Sequence, residues 1–122
     1  MSGVNFIADT NVLIKLGQGN QQIALLLTGK DISISVITEM EILSWPLIKP
    51  SEIMKAKEMI SQFRIISLNE TIKDKAIQIR RQTKMKLPDA IITATAFYLK
   101  IPLITLDEGF KRVEKLIDVV LV

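Results

Sequence analysis

Residues 4–14 read Val4-Asn5-Phe6-Ile7-Ala8-Asp9-Thr10-Asn11-Val12-Leu13-Ile14. The segment 4–8 has the length and apolar character of a buried strand. An acid stands at its carboxyl end, and 11–17 follow as a short helix closed by Gly17. A strand that runs through one acidic residue into a helix decides the fold if the pattern repeats.

It does repeat. Residues 21–28 read as a helix with Gly29 in the position after its cap, and 32–36 (Ile-Ser-Ile-Ser-Val) as a second strand. Helices are expected over 38–43, stopped by Pro46, and over 51–63, with Ser51 as N-cap. A third strand, 64–68, is followed by a helix capped by Asn69 that runs to about Lys84. Leu87-Pro88-Asp89 opens a helix reaching Lys100, since proline is tolerated in a first turn. Strands at 102–106 and 117–121 flank a short helix at 108–113. This alternation implies parallel crossovers. The expected fold is α/β: a three-layer α/β/α sandwich around a mostly parallel five-stranded sheet, one domain over residues 1–122.

The 122 residues include neither cysteine nor histidine. Disulfides, Cys/His zinc sites, cysteine nucleophiles and histidine bases are thereby excluded. Carboxylates, lysines, hydroxyls and any hard cation that carboxylates hold remain for chemistry. No apolar run approaches the roughly 18 residues of a membrane helix, and the N-terminus lacks the basic start of a signal peptide. A cytoplasmic protein with no membrane association is expected.

In parallel sheets the ligand site lies beyond the carboxyl ends of the strands. Asp9 and Asp107 stand there, after the first and fourth strands. Asp89 sits in the first turn of a helix, Ala90 to Phe97, that is apolar nearly all round and therefore buried. At about 100° per residue, Glu41 falls near Ile37, on the apolar side shared with Met40, whereas Glu39 points away. Taken singly, each acid has an ordinary explanation as a cap, a turn residue or a complement to a helix dipole. Together they crowd one sheet edge, where a divalent cation relieves their repulsion; oxygen ligands suit Mg²⁺ or Mn²⁺.

The chain resembles PIN-domain ribonucleases, specifically the VapC-type toxins of prokaryotic type II toxin–antitoxin pairs. The resemblance rests on four stretches in order: Ile7 to Ile14, Ser35 to Leu43, Leu87 to Ala96, and Thr105-Leu106-Asp107-Glu108-Gly109-Phe110. It implies Asp9, Glu41, Asp89 and Asp107 as catalytic and metal-holding residues around one or two Mg²⁺ or Mn²⁺ ions. It also implies supporting roles for Thr10, Asn11 and Thr105, with Glu108 able to assist or replace Asp107. The implied activity is metal-dependent endoribonucleolytic hydrolysis leaving 5′-phosphate and 3′-hydroxyl ends. Implied partners are RNA, a cognate antitoxin and a second copy of the chain in a homodimer.

Residues 71–86 hold six basic and one acidic residue, a local charge of +5 within a chain of net charge +3. The stretch leads into Pro88-Asp89. It reads either as a phosphate-backbone contact, with Arg80, Arg81, Lys84 and Lys86 touching RNA, or as a solvated helix face. A mean hydropathy of +0.32 is high for a small soluble chain and suggests apolar surface for a partner. Trp45, Leu47 and Ile48 around Pro46 are candidates for core or partner surface. Two other functions are compatible with these residues: a stand-alone PIN nuclease of RNA processing or decay, and a non-catalytic RNA- or protein-binding module. A carboxylate phosphatase fits less well, because the first strand leads into Asp9-Thr10-Asn11 without an Asp-x-Asp nucleophile motif.

Overall fold

A computed structural model describes residues 5–122. Its five strands are β1 (Asn5–Ala8), β2 (Asp31–Ser35), β3 (Arg64–Ile66), β4 (Leu103–Thr105) and β5 (Val119–Leu121). The helices are α1 (Thr10–Gly17), α2 (Gln21–Leu27), α3 (Val36–Leu43), α4 (Pro50–Ile60), α5 (Glu70–Thr83) and α6 (Leu87–Leu99). The short helix Glu108–Val113 is 3-10. The expected first strand began at Val4, which lies outside the described residues. Among the described residues, no helix is long and apolar enough to cross a membrane.

The sheet has the order β3-β2-β1-β4-β5, and every neighbouring pair is parallel. The chain builds outward from β1 through β2 to β3, then crosses back to place β4 on the other side of β1. Connections leaving β1 and β4 therefore diverge, which opens a crevice at their carboxyl ends. The register sets Ile7 beside Leu103 and Ala8 beside Ile104. Asp9 and Thr105 consequently emerge side by side, and the Asp9 N–H donates to the Ile104 carbonyl at 3.2 Å.

Strand alternation sends apolar residues to both faces. Ile7 and Leu103 pack with Ile72, Ile79, Ile92, Phe110 and Val113 on one side. Ala8 and Ile104 pack with Val12, Leu13, Ile23, Ile34 and Ile60 on the other. Helix α6 crosses the first layer with Thr93 and Thr95 fully buried. Their hydroxyls donate to the carbonyls of Asp89 (2.9 Å) and Ile91 (2.8 Å), so burial leaves no orphaned donor. Asn20 and Asn69 cap α2 and α5 through their side-chain oxygens.

Several boundaries differ from the sequence expectation. Helix α4 begins at Pro50, not after a Ser51 cap; Lys49 is the capping position and its N–H donates to Glu52 Oε1 at 3.0 Å. Proline fits the first helical position because its φ is already helical and its missing N–H has no partner there anyway. Helix α3 starts at Val36, two residues before expectation, because the Ser35 side chain accepts the Ile37 N–H at 3.1 Å and ends the strand. Strands β3, β4 and β5 are shorter than expected, at three residues each.

Candidate active site

A cleft of ≈ 240 Å³ opens at the carboxyl edge of the sheet, over β1 and β4. Asp9, Glu41, Asp89 and Asp107 all line it, with Thr10, Asn11 and Lys86. Four elements distant in sequence thus deliver four carboxylates to one place: the turn after β1, the middle of α3, the first turn of α6, and the turn after β4.

Asp9 is buried at 3% exposure. Its two oxygens have separate tasks. Oδ1 accepts the Val12 N–H at 3.0 Å and caps α1, and Oδ2 accepts the Thr105 hydroxyl at 2.5 Å. The Thr105 oxygen in turn accepts the Asp107 N–H at 2.9 Å, so one buried threonine ties two of the acids together. Glu41 is held differently. Its Oε1 accepts the Thr10 hydroxyl at 2.7 Å, and Thr10 lies 3.0 Å from the hydroxyl of Thr38, which is fully buried. Asp107 caps the 3-10 helix by accepting the Gly109 N–H at 2.7 Å.

Burial pushes the Asp9 carboxyl above the usual aspartate range, with the Asp107 charge adding to it and hydrogen bonds from Thr105 and Val12 opposing it. Asp89 is raised as well, first by burial and then by the charges of Asp107, Glu41 and Asp9; Lys86 opposes the shift. Among the described residues none of the four acids forms a salt bridge. No three of them group closely enough to cage an ion between them; they ring the cleft. The donor set is all oxygen and mutually repelling, which fits a hard divalent cation.

The remaining sequence candidates separate by position. Asn11 is exposed on the cleft wall, and its backbone N–H assists Asp9. Glu108 does not line the cleft; it faces solvent 3.9 Å from Lys111. Of the four basic candidates only Lys86 reaches the cleft, while Arg80, Arg81 and Lys84 are exposed outside it. Met40, assigned to the same apolar side as Glu41, is 57% exposed. Glu41 is held by Thr10, itself backed by Thr38, and not by an apolar stripe. Thr38 was not singled out from sequence, although it stands three residues before Glu41 and so shares its helix face. Trp45, Ile14, Pro88 and Phe110 complete the lining.

The profile of the PIN domain family matches residues 6–116. No curated protein sequence matches the chain. Among solved structures, a chain of the toxin–antitoxin complex from Klebsiella pneumoniae is 32% identical, with a TM-score of 0.79, over 97% of this chain and 96% of that one. A chain of DNA-bound VapBC from Salmonella typhimurium shares the fold with a TM-score of 0.81 at 20% identity, covering 97% and 98%. VapBC2 from Rickettsia felis, bound to a DNA fragment from its promoter, superposes with a TM-score of 0.80 at 20% identity, covering 98% and 99%. The PIN match over residues 6–116 takes in nearly the whole chain, including the stretches that carry all four acids, and on that ground the chain belongs to the PIN domain family.

Proposed function

We propose that this protein is a metal-dependent endoribonuclease, the toxin of a VapC-type toxin–antitoxin pair. The observation that carries the reading is the cleft itself. It holds four carboxylates, two of them raised by burial and mutual charge, and among the described residues no ion pair neutralises any of them. Such an arrangement is costly unless a cation completes it. The similarity to a toxin–antitoxin complex at 32% identity supports the biological setting.

Asp9, Glu41, Asp89 and Asp107 would hold Mg²⁺ or Mn²⁺. When bound, such an ion supplies hydroxide by lowering the pKa of a water and offsets negative charge at the phosphate. The residues of the chain do the rest. Thr105 orients Asp9 and positions the Asp107 backbone. Thr10, steadied by Thr38, orients Glu41. Lys86 brings a positive charge to the cleft wall, where a phosphodiester needs one. Pro88 and Phe110 wall the cleft with apolar surface. An RNA strand is the proposed substrate, an antitoxin the proposed regulator and a homodimer the proposed assembly.

Purified Asp9→Asn protein tests the reading. RNA cleavage should be lost while circular dichroism stays that of the wild type, because the asparagine oxygen can still cap α1. Cleavage at the wild-type rate would refute the assignment. Calorimetric titration with Mn²⁺ gives a second check: a chain that takes up no ion at millimolar Mn²⁺ is a binding module, not an enzyme.

A further inference from the structure

Tryptophan is the side chain with most to gain from burial, yet Trp45, the only one in this chain, is 62% exposed. It stands just past the end of α3, four residues beyond Glu41. It lines the acid cleft and also an adjoining open groove of ≈ 480 Å³. Ile14 likewise lines both, so the two spaces lie side by side. Ile42, Pro46, Leu47 and Ile48 make the groove mostly apolar.

A turn fixes the backbone that carries the indole. The Ile48 N–H donates to the Trp45 carbonyl at 3.2 Å, closing a turn with Pro46 second and Leu47 third. Leu47 has φ +64°, in the left-handed region where a turn of this kind usually places glycine. Leu47 is 98% exposed, so burial of its own side chain does not explain that conformation. The turn presents Trp45 beside the acids.

We propose that Trp45 is a stacking platform for an unpaired base of the RNA strand, adjacent to the phosphate that Lys86 and the cation of the four carboxylates would draw to the cleft. The inference rests on the ribonuclease reading above and adds a base-contacting residue to it, which requires at least one base free to leave its stack. Three observations support it. A cleft this small keeps the indole within about one nucleotide of the acids. The groove beyond Trp45 contains one carboxylate, Glu52, and no basic side chain. Such a space repels phosphate and accepts a neutral, flat base. On the cleft side Lys86 supplies the positive charge, so backbone and base have separate surfaces. Stacking on an aromatic tolerates any base, because each has a π-face.

Because Trp45 is the sole tryptophan, its emission reports on this contact without any change to it. The Asp9→Asn protein is titrated with a short single-stranded oligoribonucleotide, an abasic ribose-phosphate strand of equal length, and a blunt RNA duplex. Binding is followed by anisotropy of an end label. The single strand should quench the indole. The abasic strand should bind through its phosphates with little quenching, and the duplex should not quench. In protein with all four acids intact, Trp45→Ala should raise KM by about 5- to 100-fold and change kcat less, while Trp45→Phe should retain most of the wild-type KM. Binding of the single strand with unchanged emission, or equal quenching by the abasic strand, overturns the proposal and leaves the indole to an apolar side chain of a protein partner. Failure of every RNA to bind, together with no cleavage by wild-type protein, overturns instead the ribonuclease reading on which it rests.

Discussion

The Thr105 hydroxyl donates to Asp9 Oδ2 at 2.5 Å across 96 residues of sequence. The bond joins the carboxyl ends of β1 and β4 at the point where the strand order reverses. It is buried on both sides, and the same oxygen accepts the Asp107 N–H. Thr105→Val keeps the shape and removes both contacts. Stability should fall by about 1–2 kcal/mol in urea melts, mainly from the uncompensated buried polar groups. Cleavage should fall by roughly 10- to 100-fold, the usual effect of losing an oriented second layer around a metal-binding acid. Since this bond favours charged Asp9, its loss should also move the acid limb of the pH–activity profile upward.

Asp89 yields a prediction about pH. Burial and three neighbouring acids raise its carboxyl above 3.8 in the folded protein. The neutral form is therefore the one that folding favours. Its stabilising contribution is full below 3.8 and is lost as pH rises through the raised value. The first-turn position in α6 works the other way, but the burial and the neighbours outweigh it. Asp89→Asn should thus melt at a higher temperature than wild type at pH 7, with the advantage vanishing below 3.8. Thermal melts across pH check this. The variant should be inactive on RNA despite its greater stability.

Metal should reverse that order. An ion that binds only the folded chain stabilises it by about 2.7 kcal/mol at a hundredfold excess over Kd. Mn²⁺ should raise the melting temperature of the wild type clearly and that of Asp89→Asn much less. Equal shifts in both proteins would mean that Asp89 is not among the ligands.

Lys86 and the exposed basic residues of α5 should behave differently. Lys86 lines the cleft, whereas Arg80, Arg81 and Lys84 lie outside it. Lys86→Ala should weaken RNA binding and reduce the slope of log K against log salt by about 1. It should also lower cleavage. Substituting Arg80 or Arg81 by Ala should change the salt slope only if the strand extends along α5, and should leave the rate at saturating RNA unchanged.

Leu47 offers a test of backbone strain. It holds φ +64° while almost fully exposed, so its side chain contributes little burial in return. A non-glycine residue there costs about 1–2 kcal/mol, and glycine costs about 0.5–1 kcal/mol in unfolded-chain entropy. Leu47→Gly should therefore stabilise the protein by up to about 1 kcal/mol, read as a shift of the urea midpoint.

The order of strands and helices was legible because each element carries its own periodicity and its own end signals. Asn69 caps α5 as its position suggested, and Gly29, φ +77°, follows the end of α2. Element boundaries were less legible. Pro50 and Ser35 each move a helix start, and both effects depend on which backbone donor lies within reach. The helical wheel chose Glu41 over Glu39 for its closeness to an apolar side, yet Met40 on that side is exposed. What holds Glu41 is Thr10, thirty-one residues away in sequence.

By itself the sequence determined the chemistry available: no thiol, no imidazole, and acids at strand ends and helix starts, because composition and local pattern are properties of the chain alone. Only the tertiary structure decided which acids meet. Strand register placed Thr105 against Asp9, the reversal at β1 opened the cleft, and Glu108 turned to solvent one residue away from Asp107. The physical reason is that local signals act over a few residues, whereas the partners of a buried carboxylate are chosen by packing between segments that the sequence keeps far apart.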